Sequence, residues 1–153
     1  MTITKVLPCC VGLFSIIALP AISEAAQCSG YDSEVVESVN VTELSKGHSV
    51  TVVRSYSLLT SENSIYTLGT GECSAVVLAT PDGATRLSGH CVWKDKDGDT
   101  LSNQYGQEPG ADKTKWKLVA GTGKYADKTG SGWVWQVRSD GKMGVFKWEG
   151  TCN

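Results

Sequence analysis

The chain has 153 residues, 41% hydrophobic and 20% charged, with a formal net charge of −2. That length suits one compact domain with a usable core. A near-neutral, slightly acidic balance excludes a strong electrostatic footprint for nucleic acid, so no nucleic-acid partner is expected.

At the N-terminus, Met1 to Lys5 carries one positive charge and no acid. An apolar stretch runs on to Ile22, interrupted by Pro8, Cys9, Cys10, Gly12, Ser15 and Pro20. Ser23 and Ala25 then place small residues three before and one before a cut after Ala25. A basic start, a short apolar stretch and a small-residue site form the layout of a secretory signal. Residues 1–26 are therefore expected to be a signal peptide, leaving one domain over 27–153. The apolar stretch is too short and too broken for a membrane span. Cys9 and Cys10 come too early for a lipobox. An exported product, periplasmic or extracellular and with no stable membrane span after cleavage, is expected. Of the six cysteines, Cys28, Cys73, Cys91 and Cys152 remain in the mature chain. An even count in an exported protein reads as two disulfides, with three pairings open.

Beyond Tyr31, β-branched and aromatic residues alternate with polar ones, and turn signals recur about every ten residues. The spacing predicts strands over 33–44, 49–59, 64–68, 71–79, 84–94, 100–105, 114–120, 132–139 and 142–150, with no stretch of helical period. The punctuation is Lys46-Gly47, Pro81-Asp82-Gly83, Asp97-Gly98, Glu108-Pro109-Gly110 and Asp140-Gly141. Asp-Gly is the sequence of a tight two-residue hairpin loop. Eight or nine short strands joined by hairpins favour an all-β antiparallel barrel or sandwich.

Two hairpins fix a register. If Pro81-Asp82-Gly83 is a three-residue loop with Gly83 left-handed, Thr80 faces Ala84, and counting back brings Cys73 opposite Cys91. Gly71, Ala75, Val77, Leu87, Gly89 and Trp93 share that face, while Glu72, Ser74, Arg86, Ser88 and His90 point away. An apolar face holding both cysteines is self-consistent. The pair Cys73–Cys91 is therefore expected, which leaves Cys28–Cys152 joining the domain's ends. In the last hairpin, Asp140-Gly141 as the loop sets Ser139 opposite Lys142. Trp133 is then expected to face Trp148, and Trp135 to face Phe146, as cross-strand aromatic pairs.

Three motifs carry less than they suggest. Gly121-Thr122-Gly123-Lys124-Tyr125-Ala126 follows a strand like a dinucleotide fingerprint, but the next residues, up to Gly130-Ser131-Gly132, cannot open the helix that would hold a pyrophosphate. A phosphate loop needs Ser or Thr where Tyr125 stands. Asp95-Lys96-Asp97-Gly98-Asp99 lacks the glycine and glutamate positions of a calcium loop and reads as a hairpin turn. His48 and His90 fall in no catalytic or metal-ligand spacing. With every mature cysteine paired, no thiol nucleophile is left. No metal and no cofactor are expected.

The segment Gly121-Thr122-Gly123-Lys124-Tyr125, followed by Gly130, resembles the G-T-G-x-[FY]-x4-G loop of allene oxide cyclase-like and dirigent barrels. The resemblance covers roughly the last third of the chain and rests on structural glycines. It implies an eight-stranded antiparallel barrel with a hydrophobic central cavity, no cofactor, and ligands such as oxygenated fatty acids or phenolic radicals. Plant members are commonly trimeric, so a homo-oligomer is open here too. Dirigent proteins are also secreted and tie their chain ends by a disulfide, in line with Cys28–Cys152. The cyclase's catalytic residues do not map onto positions here, and no residue is assigned as counterpart of the dirigent active-site acids.

The leading expectation is an exported barrel that binds an apolar or amphipathic small molecule in an aromatic cavity. Trp93, Trp133, Trp135, Phe146 and Trp148 are its candidate lining, with Tyr125 near the mouth. One alternative is a cofactor-free cyclase or isomerase acting on an oxygenated lipid. Another is a solid-core structural or protein-interaction module. A binding role is favoured over catalysis.

Overall fold

A computed structural model describes residues 25–62 and 69–153. Eight strands follow in chain order: β1 (Ala26–Ser45), β2 (His48–Ser61), β3 (Gly69–Ala79), β4 (Thr85–Asp95), β5 (Thr100–Gln107), β6 (Thr114–Gly121), β7 (Gly130–Ser139) and β8 (Met143–Cys152). A single 3-10 turn, Gly123–Tyr125, lies between β6 and β7. Each strand pairs antiparallel with the next, and β8 returns to β1, so the sheet is a closed eight-stranded barrel. Both disulfides are those expected, Cys28–Cys152 and Cys73–Cys91. The expected signal peptide lies, but for its last two residues, outside the described residues, as does the expected strand over 64–68.

The β3–β4 hairpin follows its turn. Gly83 has φ +83°, Thr80 N–H donates to the Ala84 carbonyl at 2.9 Å, and Cys73 pairs directly with Cys91. The β4–β5 turn is one residue longer than Asp97-Gly98 suggests. Asp95 N–H donates to the Asp99 carbonyl at 3.0 Å, which leaves Lys96 to Gly98 as the loop.

The β7–β8 register differs from expectation. Asp140 N–H bonds the Met143 carbonyl at 3.0 Å, so the turn is Gly141-Lys142, with Gly141 at φ +93°. Moving the turn by one residue displaces pairing by two and keeps every side chain on its face. A bulge at Val137, between Gln136 and Arg138, then removes one of those two steps. The net slip is odd, and an odd slip turns a strand over. Val134 therefore pairs with Trp148 and Gln136 with Phe146, while Trp133 faces Glu149 and Trp135 faces Lys147. The expected Trp133–Trp148 and Trp135–Phe146 pairs do not form.

Strand β1 begins at Ala26, well before the expected residue 33. The segment Ala26 to Asp32 precedes the first expected strand, yet it pairs with β8 from Ala26–Cys152 to Asp32–Phe146 and closes the barrel. Pairing partners outweigh local strand propensity here. The buried cluster lies toward the end where β1 begins and β8 ends: Leu59, Trp93, Leu101, Trp116, Leu118, Tyr125, Trp148 and the cystines. Trp116 and Trp148 meet edge to face, with ring centroids 6.0 Å apart.

Candidate functional site

The barrel's interior encloses a cavity of about 470 Å³. Alternation along the strands decides what lines it. Asp32, Glu34 and Val36 come from β1, Val53 and Leu59 from β2, Ala75 from β3, Leu87, Cys91 and Trp93 from β4. Leu101, Asn103, Tyr105 and Gln107 of β5, Thr114, Trp116 and Leu118 of β6, Val134, Trp135 and Gln136 of β7, and Phe146 and Trp148 of β8 continue the wall. Asp112, from the β5–β6 loop, marks the end at which the cavity opens.

The opposite end is closed by the glycine loop. Tyr125 is 3% exposed, and its hydroxyl donates to Asp95 Oδ2 at 3.0 Å. Lys124 Nζ bridges Asp95 Oδ2 at 2.5 Å and Asp97 Oδ2 at 2.9 Å. Asp95 also accepts the backbone N–H groups of Asp97 and Asp99. Lys124's ammonium, opposed by the cost of burial, holds the Asp95 carboxyl well below the usual range. A Cβ on Gly121 would lie 2.2 Å from the Tyr125 carbonyl oxygen, so the 3-10 turn folds back only over glycine. Gly123 is left-handed at φ +50°, and Gly130 opens β7 with 3.1 Å between an added Cβ and the Thr151 carbonyl. Tyr125 thus sits at the closed end rather than at the mouth, because the loop that carries it docks on the β4–β5 turn.

Inside the wall lies a polar cluster that sequence reasoning missed. Asp32 is 7% exposed. Its Oδ1 accepts the Ser57 hydroxyl, whose oxygen in turn accepts the Trp93 Nε1–H at 2.6 Å. Beside it, Glu34 Oε2 accepts the Ser55 hydroxyl at 2.7 Å. One oxygen from each carboxyl and the two sulfurs of Cys73–Cys91 all lie within 4.8 Å of one another. Those sulfurs are joined to each other and offer no thiolate, so the group is a carboxyl pair against a disulfide. Burial, and then the charge of Glu34, pushes the Asp32 carboxyl up to about 7. Burial raises Glu34 as well. Tyr105 packs against Gly89, where an added Cβ would be 2.4 Å from its Cζ, and burial followed by the two acids pushes its hydroxyl upward. Two carboxyls this close in a low-dielectric wall cannot both ionise cheaply.

The acids escaped sequence reading because the alternation of β1 is broken by a bulge between Val36 and Ser38. Val35, Val39 and Val41 draw the eye, yet Val35 points outward and the other two lie beyond the end of β8. The usable signal was the inward row Cys28, Gly30, Asp32, Glu34, which is continuous with a cysteine that must reach Cys152.

Of the candidate lining residues, Trp93, Phe146 and Trp148 border the cavity, with Trp93 and Trp148 buried. Trp135 contributes at the rim, where Lys113 Nζ stands 3.9 Å from its ring. Trp133 is 40% exposed on the outer face, with Lys115 Nζ 5.2 Å from its ring. It does not border the cavity, as the Val137 bulge dictates. Trp116, not among the candidates, takes that inner place.

Solved structures share this architecture. The pterocarpan synthase dirigent protein GePTS1 is similar at a TM-score of 0.55 and 14% identity, over 84% of this chain and 89% of that one. The pterocarpan synthase dirigent protein PsPTS1 is similar at 0.50 and 13% identity, over 85% and 95%. At such identity the likeness is one of fold: a dirigent-type barrel. The allene oxide cyclase side of the resemblance stays an expectation. No protein-family profile and no curated protein matches the sequence.

Proposed function

We propose that this chain is an exported β-barrel protein that takes up an apolar or amphipathic small molecule in its cavity. The observation that carries this reading is the 470 Å³ space itself, walled by Trp93, Trp116, Trp148 and Phe146 around a buried polar cluster. That volume and that mix of apolar wall with a few convergent polar groups are typical of small-molecule sites. A solid-core structural role fits such an interior less well. Two disulfides support an oxidising compartment, in agreement with a signal peptide over 1–26. The fold likeness to dirigent barrels adds an analogy and nothing about substrate.

The test is native mass spectrometry of protein purified from its exported fraction under non-reducing conditions. A small-molecule adduct on the wild type, absent from a Val53→Trp variant whose new side chain fills the cavity, is the expected result. A wild type that carries no adduct, and whose tryptophan fluorescence no apolar compound alters, would sink the proposal. The same spectrum reads signal cleavage and subunit number.

A second reading is cofactor-free proton-transfer chemistry, as in a cyclase or isomerase. It draws on Asp32, whose carboxyl near pH 7 can both give and take a proton. Turnover of oxygenated-lipid epoxides that vanishes in Asp32→Asn would support it. No turnover across the panel would count against it.

A further inference from the structure

The cavity carries a charge bias that goes beyond apolar binding. Among the described residues, three lining side chains are carboxyls, Asp32, Glu34 and Asp112, and none is Lys, Arg or His. Of the nearby lysines, Lys113 stands at the rim on the Trp135 ring and is paired with Glu149 Oε1 at 3.4 Å, while Lys115 and Lys147 rest on the rings of Trp133 and Tyr31. Lys124 is engaged with Asp95 and Asp97 at the closed end. Among the described residues, the other groups found against the acid pair are the Ser55 and Ser57 hydroxyls, the Trp93 indole, the Tyr105 phenol and a disulfide. None of them is cationic. The aromatic walls bring a second attraction of the same sign, because the faces of indole, phenol and phenyl rings are electronegative and hold ammonium groups. A buried anion would meet carboxyls with no counter-charge, whereas a buried cation would supply the partner that this pair lacks.

Resting on the reading that the cavity binds a small molecule, we infer that its occupant is an organic cation, an amine or quaternary ammonium with an apolar body. The apolar body lies among Trp116, Trp148 and Phe146, and the positive nitrogen sits against Asp32 and Glu34. Binding then stabilises the ionised acids, so the site gives up proton as it fills, and affinity climbs from pH 5 to pH 8.

Three naphthalene probes of one shape separate the possibilities by titration calorimetry on the mature, disulfide-bonded protein. They are 1-naphthylmethyl-trimethylammonium, its uncharged isostere with carbon in place of nitrogen, and 1-naphthylacetate. The cation is expected to bind at least ~10-fold tighter than the isostere, with the anion weakest. Proton release should be visible as a heat that depends on the buffer's ionisation enthalpy. In a double variant, Asp32→Asn with Glu34→Gln, the cation should fall to the isostere's affinity and the isostere should hold its own. The wild-type comparison stands even if that variant does not fold. An isostere or anion that binds the wild type as tightly as the cation overturns the charge inference and leaves the cavity reading intact. Failure of all three probes to bind overturns both.

Discussion

Asp32 shows how one side chain can be costly to the fold that holds it. In the unfolded chain its carboxyl ionises near 3.9, and in the barrel burial and Glu34 raise it to about 7. Between those values the folded state binds more protons, so stability falls as pH rises from about 4 to about 7. Charging Asp32 alone is worth on the order of 2–4 kcal/mol over that window. Chemical denaturation of Asp32→Asn at pH 5 and pH 8 should find most of this slope gone, with the variant gaining more at pH 8. An unchanged slope would mean that the acid is solvated. The tryptophans give a second test at this scale. Trp148→Ala removes a ring that is 5% exposed and is expected to cost about 3–5 kcal/mol. Trp133→Ala, on the outer face, should cost under about 1 kcal/mol. Equal losses would contradict the register of β7.

At the scale of elements, the Val137 bulge decides which tryptophans reach the interior. Deleting Val137 removes the extra residue while the Gly141-Lys142 turn stays in place. Trp133 and Trp135 would then swing inward, toward space already filled by Trp116 and Trp148. Such a variant is expected to be strongly destabilised, with a changed tryptophan emission in whatever folded fraction remains. The closed end has its own latch. Asp95 is lowered by Lys124, so its contribution is full above about pH 4 and is lost as pH falls. Lys124→Met should therefore lower the melting temperature at pH 7, with the gap to wild type narrowing toward pH 2. A gap that stays constant with pH would assign the loss to packing instead. The contrast between the two hairpins explains what was readable in them. In β3–β4 the turn residues and the apolar face agree, and nothing interrupts the ladder before Cys73 meets Cys91. In β7–β8 the turn shifts and a bulge intervenes, and no local residue announces a bulge whose purpose is to bend a strand around a barrel.

For the whole molecule, the two disulfides should contribute unequally. Cys28–Cys152 closes a separation of 124 residues and Cys73–Cys91 one of 18. Loop entropy assigns ~5 kcal/mol to the first and ~3 kcal/mol to the second. Paired Cys→Ala variants unfolded in urea should rank in that order, and the reverse order would point to strain or residual structure. The long bond fastens β1 to β8 at the seam where the sheet closes, which is why its loss should open the barrel as a unit.

By itself the sequence determined the all-β class, the Cys73–Cys91 pairing and most turns, because these depend on composition, alternation and spacing within a few tens of residues, and Cys28–Cys152 then followed by elimination. It placed Trp93, Phe146 and Trp148 on the interior for the same reason. Closure of β1 on β8, the inward row of Asp32 and Glu34, the outward turn of Trp133 and the docking of Tyr125 on Asp95 were decided only by the tertiary structure. Each depends on a partner far along the chain or on a one-residue bulge, and a parity flip of that kind is invisible until the strand has a neighbour to be registered against.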